Sequence, residues 1–432
     1  SNNVKYGSPG EMSALSELAI NGGPKVRVDS WPERGQLGIE EKEAVNAVFD
    51  ESIATGRPFD YDGPVEEAFC EEFAEFMGGG YVDAVSSGTS AIYVALKALD
   101  IQPFTEVIVG ALTDSGGMMP VPLLNCIPVI ADTAPGRFTP GPEEISAVIS
   151  PLTSAIIVPH IAGDPADMDG IARVASQHGI PVIEDCAQAH GARLNGKLVG
   201  TFGDIAAIST MSGKHMNTGG QGGVVYTKSE NLFEASRRAS DRGKPFYMED
   251  GSTNQVASFN FNLNDLAAAI GRVQLRKLGG VVARRRDFIN KLTEGFHDND
   301  LQAISIAPSV PGGESSYWWW PLKVNTERLT CDVATFSEAL LAEGIPANTI
   351  GWNLMPHKME WFKSRRVFGS SGYPWSSPQY EGDPDQQFPC PNATSAVAGH
   401  IQLTVNESWG DPEIVDILTA FKKVENAYLK QR

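Results

Sequence analysis

The sequence predicts an α/β fold, in which a mostly parallel sheet is covered by helices on both faces, followed by a smaller α+β domain. Between residues 65 and 240, short apolar runs alternate with amphipathic segments of helical period. Strands that are apolar at nearly every position are typical of a parallel sheet buried on both faces. Near residue 264 this alternation stops, and a long helical stretch is followed by a mixed pattern. The change in pattern predicts a second unit.

Apolar runs rich in β-branched residues define the strands of the first unit, and the segments between them define its helices. Strands are predicted at 106–109, 127–130, 154–158, 181–184, 205–208 and 224–227. Helices are predicted at 40–50, 65–76, 91–99, 142–149, 168–178 and 231–238. The second helix places Phe69, Phe73 and Phe76 on one face, as a helix that packs against a sheet requires.

The C-terminal part of the chain has a different organisation. A helical stretch over 265–296 is predicted to be interrupted at Gly279-Gly280, because glycine disfavours the interior of a helix. A strand is predicted over 317–324, a helix over 333–343, and a long loop over 364–387, where Gly, Pro, Ser and Asp are frequent. The predicted division is an N-terminal arm at 1–35, a large domain at 36–299 and a small domain at 300–432.

Composition limits the classes of function. The 432 residues carry a net charge of −19, which argues against nucleic acid or an anionic membrane as a partner. No run of about 18 apolar residues predicts a transmembrane helix, and no signal peptide is visible. The cysteines are scattered without CxxC spacing, which favours a reducing cytoplasm over a disulfide framework or a metal site.

The stretch 209–223 carries a candidate catalytic lysine. Lys214 lies between a β-branched run and a loop with five glycines at 213, 219, 220, 222 and 223. Glycines let the backbone approach a ligand closely, and an amine in that setting can form a Schiff base with an aldehyde cofactor. Taken alone, the pattern is also that of a surface lysine beside a flexible loop.

Two further motifs are predicted at the carboxyl ends of strands, where α/β sheets bind ligands. An apolar strand ends in Glu184 and Asp185, and a carboxylate at that place is costly unless a cation or N–H donors accompany it. A protonated pyridine nitrogen is such a cation, although the N-cap of the next helix is an equally simple role. The Ser87-Gly-Thr89 sequence before a helix suits a phosphate, and it also suits an ordinary N-cap.

Together these motifs resemble the DegT/StrS-type sugar aminotransferases, which are pyridoxal-phosphate enzymes of the aspartate-aminotransferase superfamily. The segments 158–169 and 184–191 are similar to family signatures, and the similarity runs from about residue 18 to the C-terminus. The resemblance implies an aspartate-aminotransferase-like (fold type I) large domain with a mostly parallel sheet of the seven-stranded type. It also implies pyridoxal 5'-phosphate as cofactor and a homodimer with shared active sites.

The resemblance also implies roles for individual residues. Lys214 would form the Schiff base and later carry the proton, and Asp185 would pair with the pyridine nitrogen. Gln188 would contact the ring oxygen, and Ala187 would pack on one ring face. The other implied cofactor contacts are to the phosphate: Ser87, Gly88, Thr89 and Ser209, with Asn260 contributed by the neighbouring subunit.

This chain departs from the family pattern at two positions. Relatives carry an aromatic residue that stacks on the pyridine ring, and this cofactor-binding position falls on Asp114. Asn262 stands where relatives often have arginine, so an anion contact is missing there. Arg242 and Lys244 could supply a substitute anion site, although a solvated loop is the simpler interpretation.

The function implied is transfer of an amino group from glutamate or glutamine to a keto acceptor by a ping-pong reaction. The acceptor would be a nucleotide-linked keto sugar or a cyclic ketone such as an inosose; the arm at 18–27 resembles that of cyclitol enzymes. The alternatives are a sugar dehydratase of the same family, which carries histidine in place of the lysine, an aminobenzoate-type synthase, and a non-catalytic regulatory protein. His215 follows Lys214 directly, so the register of the loop separates the first alternative from an aminotransferase.

Overall fold

The computed structural model describes residues 9–431, so the first eight residues of the predicted arm lie outside the described residues. The helices are α1 (Pro9–Glu17), α2 (Ile39–Thr55), α3 (Pro64–Phe76), α4 (Gly88–Ala98), α5 (Pro120–Leu123), α6 (Pro142–Ser146), α7 (Met168–His178), α8 (Glu230–Ala239), α9 (Asp265–Asp298), α10 (Val333–Ala342), α11 (Glu360–Lys363), α12 (Pro391–Gly399) and α13 (Asp411–Tyr428). The strands are β1 (Tyr81–Val85), β2 (Glu106–Gly110), β3 (Ile127–Ala131), β4 (Thr153–Pro159), β5 (Val182–Asp185), β6 (Arg193–Leu194), β7 (Lys197–Leu198), β8 (Ile205–Ser209), β9 (Gly223–Thr227), β10 (Ile304–Ile306), β11 (Gly313–Glu314), β12 (Trp319–Val324), β13 (Ala347–Thr349) and β14 (His400–Thr404).

The large sheet has seven strands in the order β1-β9-β8-β5-β4-β2-β3. The pairs from β8 to β3 are parallel, whereas β9 runs antiparallel to both β8 and β1. Strands β2, β3, β8 and β9 are buried along their whole length, as their apolar sequences predict. The predicted α/β class with a mostly parallel sheet is confirmed. Strands β2, β4, β5 and β8 therefore end at one edge of the sheet.

Strand β1 has no counterpart in the predicted set. Its sequence is interrupted by Asp83, whose side chain is 1% exposed and would ordinarily argue against a buried strand. Arg237 of α8 compensates the charge, with its Nη1 atom 3.1 Å from Asp83 Oδ1. The pairing of β1 with β9 and the ion pair with Arg237 therefore outweigh the unfavourable charge in the strand sequence.

Helix α9 is continuous across Gly279-Gly280, so the predicted interruption is wrong. The face of the helix formed by Leu275, Leu278 and Val282 is buried on both sides of the glycines. A glycine costs a helix about 1 kcal/mol relative to alanine, whereas each buried leucine contributes about 1.5–3 kcal/mol. Packing therefore outweighs the local preference.

A smaller antiparallel sheet has the order β10-β12-β14-β13 and packs against α10, which in turn packs against α13. Its core includes Trp320, Leu322, Phe336, Leu403 and Phe421, all of which are buried. No helix or strand lies between α11 and α12, in agreement with the predicted loop over 364–387. The division of the chain at residue 300 stays a prediction.

None of the helices within residues 9–431 combines the length and the apolar character that crossing a bilayer requires.

Candidate active site

A cavity of about 560 Å³ lies at the carboxyl ends of the parallel strands, between the large sheet and the smaller one. Most of the predicted cofactor contacts line it, namely Ser87, Gly88, Thr89, Asp114, Asp185, Ala187, Gln188, Ser209 and Lys214. The strand ends bring these residues together although they are spread over more than a hundred positions of sequence. Asn260 does not line the cavity; it is exposed and makes an isolated bridge with Asp241.

Lys214 lies on the loop that connects β8 to β9, and only 7% of the residue is exposed. Burial lowers the pKa of its amine to about 8, against the opposing effect of the Asp185 and Asp114 charges. The Nζ atom lies 3.6 Å from the centroid of the Trp318 ring. Burial therefore makes the neutral form of the amine, which is the nucleophilic form, easier to reach than in an exposed lysine.

Two residues at the end of the N-terminal arm hold the backbone of the loop between β8 and β9, here called the lysine loop. Arg34 donates from Nη1 to the Lys214 carbonyl over 2.8 Å, and Gln36 donates from Nε2 to the same oxygen over 3.1 Å. Arg34 also forms an ion pair with Glu407, Nε to Oε1 at 2.9 Å. Glu407 in turn pairs with the buried Arg285. The arm, the loop and the smaller sheet are thus connected by charged groups.

His215, the other candidate for the cofactor lysine's position, points away from the cavity. Its ring is 1% exposed, and its Nε2 atom lies 2.8 Å from the Ser316 carbonyl oxygen. Burial lowers the pKa of His215 far below its usual range. The geometry therefore supports the register with Lys214 at the site and His215 in the core.

Asp185 ends β5 and faces the cavity with 9% of its surface exposed. Its Oδ1 atom accepts a hydrogen bond from the Ala187 N–H at 3.1 Å. Burial, only partly offset by that N–H group and by the Lys214 charge, raises the pKa of Asp185. A cationic ring nitrogen in the cavity would remove this penalty, as a buried carboxylate requires.

Gly117 lets the backbone pass close to the Asp185 carboxylate. A Cβ atom at Gly117 would lie 2.8 Å from Asp185 Oδ2 and 2.7 Å from Thr113 Oγ1, closer than real Cβ contacts. The Asp185 carboxylate therefore packs directly against the turn that contains Gly117.

Gln188 and His160 complete the wall beside Asp185. The Gln188 Oε1 atom accepts from the Ala162 N–H at 2.8 Å, so its NH₂ group remains as a donor. His160 Nδ1 accepts from the Ala166 N–H at 3.0 Å, so its Nε2–H donates to Glu184 Oε1, also at 3.0 Å. His160 is therefore a hydrogen-bonded structural histidine.

The cluster of His160, Glu184 and Cys186 has the composition of a metal site, but the ligand atoms of His160 and Glu184 already make hydrogen bonds within the protein. Both ring nitrogens of His160 are used, and Glu184 also accepts three backbone N–H groups, from Gly200, Phe202 and Gly203. Burial raises the pKa of the Cys186 thiol well above its usual value, which opposes the thiolate a metal needs. These bonds make the cluster a structural one.

A helix N-terminus and a strand end meet at the opposite side of the cavity. Ser87 is the N-cap of α4, and its Oγ atom accepts from the Ser90 N–H at 3.0 Å. Gly88 packs so closely on Ser209 that an added Cβ would lie 2.7 Å from the Ser209 Cβ. The first N–H groups of a helix have no partners within it, so this corner offers donors of the kind that hold a phosphate.

Asp114 lies in the turn after β2 and lines the same cavity. Its Oδ1 atom accepts from the Gly116 N–H at 2.8 Å, which makes it the cap of the short turn Ser115–Gly117. The residue is exposed. The position implied for a stacking aromatic residue is therefore at the site, but it holds a carboxylate.

The positive charges of the predicted substitute anion site are neutralised by a carboxylate of the same loop. Lys244 and Arg242 both pair with Asp241, at 2.9 and 3.0 Å. Asp241 is fully buried, and its pKa is lowered because these two cations and Asn262 outweigh the effect of burial. Neither cation lines the cavity, so the simpler interpretation of this loop is favoured.

Several cavity residues were not identified from the sequence. Trp318, Asn353, Gln402 and Thr404 come from the C-terminal part of the chain and form the wall opposite the large sheet. The side chains of the last three make no hydrogen bond within residues 9–431, so their donors and acceptors are available to a ligand. No local motif surrounds them, and only the Trp318-Trp-Trp320 run is unusual in composition.

Comparisons with known proteins agree with this geometry. A model of the DegT/DnrJ/EryC1/StrS aminotransferase family matches residues 38–371. An L-glutamine:2-deoxy-scyllo-inosose aminotransferase of Micromonospora echinospora is 33% identical over 72% of this chain and 76% of its own. A putative L-glutamine:3-amino-2,3-dideoxy-scyllo-inosose aminotransferase of the same organism is 31% identical over 65% of this chain and 66% of its own.

A solved structure gives the same result for the fold. The aminotransferase from Psychrobacter cryohalolentis superimposes with a TM-score of 0.78 and 27% identity, over 92% of this chain and 98% of that one.

Proposed function

The chain belongs to the DegT/DnrJ/EryC1/StrS aminotransferase family, and on this premise we propose that it transfers the amino group of L-glutamine to a free cyclic polyhydroxy ketone. The observation that carries the proposal is that Lys214 and Asp185 line one cavity together with unpaired polar side chains of the smaller sheet. The aminotransferases of this family depend on pyridoxal phosphate.

The cavity fits pyridoxal 5'-phosphate. Asp185 is a buried carboxylate that forms no ion pair within residues 9–431, and a pyridinium nitrogen would lower its raised pKa. The corner of Ser87, Gly88 and Ser209 would hold the phosphate, and the free NH₂ of Gln188 would donate to the ring oxygen. When bound, the cofactor supplies a protonated ring that withdraws electrons from the reacting carbon of the substrate.

Lys214 would carry out the proton transfers. Its Nζ atom would hold the cofactor covalently between turnovers and would be released by the incoming donor amine. The freed amine would take the proton from the donor's α-carbon, hold it on Nζ and then donate it to the carbon of the cofactor that had been bonded to Nζ. Burial, which lowers the pKa of Lys214 to about 8, suits a group that must gain and lose a proton near neutral pH.

The lining of the cavity supports a neutral polyol ring over a nucleotide-linked sugar as the acceptor. Diphosphates are recognised by arginine and lysine side chains. Within residues 9–431 the lining includes no arginine, and Lys214 is its one lysine. The free side chains of Asn353, Gln402 and Thr404 instead suit ring hydroxyl groups. A relative named for 2-deoxy-scyllo-inosose as its substrate supports the same class.

We propose a homodimer in which Asn260 reaches the site of the second copy. Asn260 is exposed and lies next to Phe259, whose apolar side chain is 63% exposed and packs on the ring of Phe261. Large apolar residues exposed to this extent are typical of a surface that another chain covers. A cytoplasmic location remains a prediction from the scattered cysteines.

Mixing two inactive variants tests the shared site. K214A and N260A are purified separately, and then unfolded and refolded together. If Asn260 acts in the partner's site, hybrid dimers contain one intact site and the mixture regains activity. If Asn260 acts in its own site, the mixture stays inactive.

The proposed reaction is tested with L-glutamine labelled with ¹⁵N in its α-amino group. We expect the label to appear in an aminocyclitol when a cyclic polyhydroxy ketone is supplied, and not when a nucleotide-linked keto sugar is supplied. Reduction with borohydride and peptide mapping should place a pyridoxyl group on Lys214. K214A should show neither ¹⁵N transfer nor a pyridoxyl group at this position. K363A, at an exposed lysine of α11, should show both. A deoxygenated product that carries no ¹⁵N would favour the dehydratase.

A further inference from the structure

Trp318 is held in the cavity by both of its N–H groups. Its backbone N–H donates to the Ala162 carbonyl over 2.9 Å, and its indole Nε1–H donates to the Gly213 carbonyl, also over 2.9 Å. The residue is half-buried and lines the cavity. One bond fixes the place of the backbone and the other fixes the direction of the ring, so the indole presents a defined face to the cavity.

A strained turn connects Trp318 with Gln188. Ala162 has a φ of 61°, in the left-handed region that alanine seldom adopts. In this conformation its N–H donates to Gln188 Oε1 over 2.8 Å, while its carbonyl accepts from the Trp318 N–H. A Cβ atom at the following residue, Gly163, would lie 3.1 Å from the Trp318 nitrogen. The turn therefore fixes Trp318 relative to a residue that would contact the ring oxygen of the cofactor.

The indole face lies at the atom to which the cofactor would be bonded. Lys214 Nζ is 3.6 Å from the centroid of the Trp318 ring. A group that is bonded to Nζ in this position must therefore contact the indole. Two aromatic rings in contact gain free energy beyond the burial of their surface, so a cofactor with an aromatic ring suits this place.

The other ring-bearing residues that line the cavity within residues 9–431 are committed to the protein interior. Trp319 is 6% exposed, and its ring packs against Phe138 with the centroids 5.6 Å apart. His160 is fully buried, and both of its ring nitrogens make hydrogen bonds. Asp114, which stands at the position of the stacking aromatic residue of relatives, has no ring. Trp318 is therefore the aromatic surface of the lining that is open to a ligand.

We infer that Trp318 is a cofactor-binding residue, and that its indole face packs on pyridoxal phosphate beside the bond to Lys214. The contact supplies the aromatic packing that the carboxylate of Asp114 cannot provide. This inference rests on the proposed function, because it adds a contact at the same cofactor site. It gives Trp318 a role that does not depend on the amine of Lys214.

The test measures cofactor affinity in protein that lacks the lysine. In K214A, Trp318 has no amine to orient, so an effect of Trp318 on binding must come from its contact with the cofactor. The probe is pyridoxamine 5'-phosphate, whose amine forms no Schiff base with a lysine, and its Kd is measured by calorimetric titration of the apo-protein. We expect K214A/W318L to bind the probe about two- to tenfold more weakly than K214A does.

Two further variants complete the test. K214A/W318F keeps a ring face and loses the bond to Gly213, so its Kd should stay within about twofold of that of K214A. A bound cofactor quenches the emission of a tryptophan that it contacts, so saturation with the probe should quench K214A/W318F less than K214A. K214A/W352L, at a tryptophan that is 52% exposed and lies outside the lining, should match K214A in both measurements.

Each failure has a separate meaning. Equal Kd values for K214A/W318L and K214A, or equal quenching in K214A/W318F and K214A, overturn the contact and leave Trp318 with its effect on the lysine alone. A loss of affinity in K214A/W318F as large as in K214A/W318L also overturns it, because the bond to Gly213 then accounts for the effect. Absence of ¹⁵N transfer overturns the proposed function, and the Kd values still decide the contact because they require no turnover.

Discussion

The amine of Lys214 lies over the indole of Trp318, with Nζ 3.6 Å from the ring centroid. The indole is itself held to the lysine loop, because Trp318 Nε1 donates to the Gly213 carbonyl over 2.9 Å. Trp318 precedes β12 of the smaller sheet, so one side chain of that sheet orients the reactive group of the large one. Trp318 is therefore a positioning residue for the lysine.

Replacing Trp318 should slow the half-reaction with L-glutamine. A cation–π contact contributes about 0.5–2 kcal/mol, so W318L should lower the single-turnover rate by about 2- to 30-fold. W318F keeps a ring face and loses the bond to Gly213, so its rate should lie between. The rate is followed by the visible absorbance of the bound cofactor. W352L, at a tryptophan that is 52% exposed, is the control. A W318L rate equal to the wild-type rate would contradict this role.

Capture of the cofactor by the apo-protein should depend on pH. Burial lowers the pKa of Lys214 from 10.5 to about 8, and the neutral amine is the attacking form. The capture rate should therefore rise with pH, with a midpoint near 8. Because the Asp114 charge raises the pKa of Lys214, D114N should move the midpoint to lower pH. A midpoint close to that of an exposed lysine would show that the amine is not buried as described.

The sequence predicts the half of the site that lies on the large sheet. Lys214 and Asp185 each follow an apolar run, and the carboxyl ends of parallel strands meet, so their proximity follows from the pattern alone. Trp318 and Gln402 are more than a hundred positions from Lys214 and carry no local signal. Their place depends on how two sheets pack, which no periodicity encodes.

The errors in the predicted helices and strands also arise from contacts between residues that are distant in sequence. Helix α9 continues through Gly279-Gly280 because the burial of neighbouring side chains outweighs the low helix propensity of glycine. Strand β1 includes Asp83 because Arg237 forms an ion pair with its carboxylate. In both cases the deciding contact is distant in sequence. Propensity is a weak prior when tertiary packing opposes it.

Adding a methyl group at Gly117 should weaken cofactor binding. The new Cβ would lie 2.8 Å from Asp185 Oδ2, so the carboxylate must move away from the ring nitrogen it would meet. Overpacking of this kind costs about 1–3 kcal/mol, which corresponds to about a five- to hundredfold rise in the cofactor Kd. Fluorescence titration of the apo-protein measures it. G399A, where no atom lies within 4 Å, should bind as the wild type does. Equal affinities for the two variants would remove Asp185 from the cofactor contacts.

Neutralising Glu407 should destabilise the fold and loosen the lysine loop. Glu407 pairs with the buried Arg285 at 2.8 Å and with Arg34 at 2.9 Å, and Arg34 holds the Lys214 carbonyl. E407Q leaves a buried guanidinium without its counter-charge, which costs about 3–5 kcal/mol. Denaturant unfolding should show this loss, whereas E338Q, at an exposed position of α10, should change stability by less than about 0.5 kcal/mol.

The same network should make stability sensitive to acid. Burial alone would raise the pKa of Glu407, but the charges of Arg285 and Arg34 outweigh it and hold the pKa below the ordinary value of 4.5. The contribution is therefore complete above that value and is lost as the pH falls through the lower pKa of the folded state. The difference in unfolding free energy between wild type and E407Q should accordingly be largest near neutral pH and shrink in acid. A difference that is independent of pH would assign the effect of E407Q to packing instead of charge.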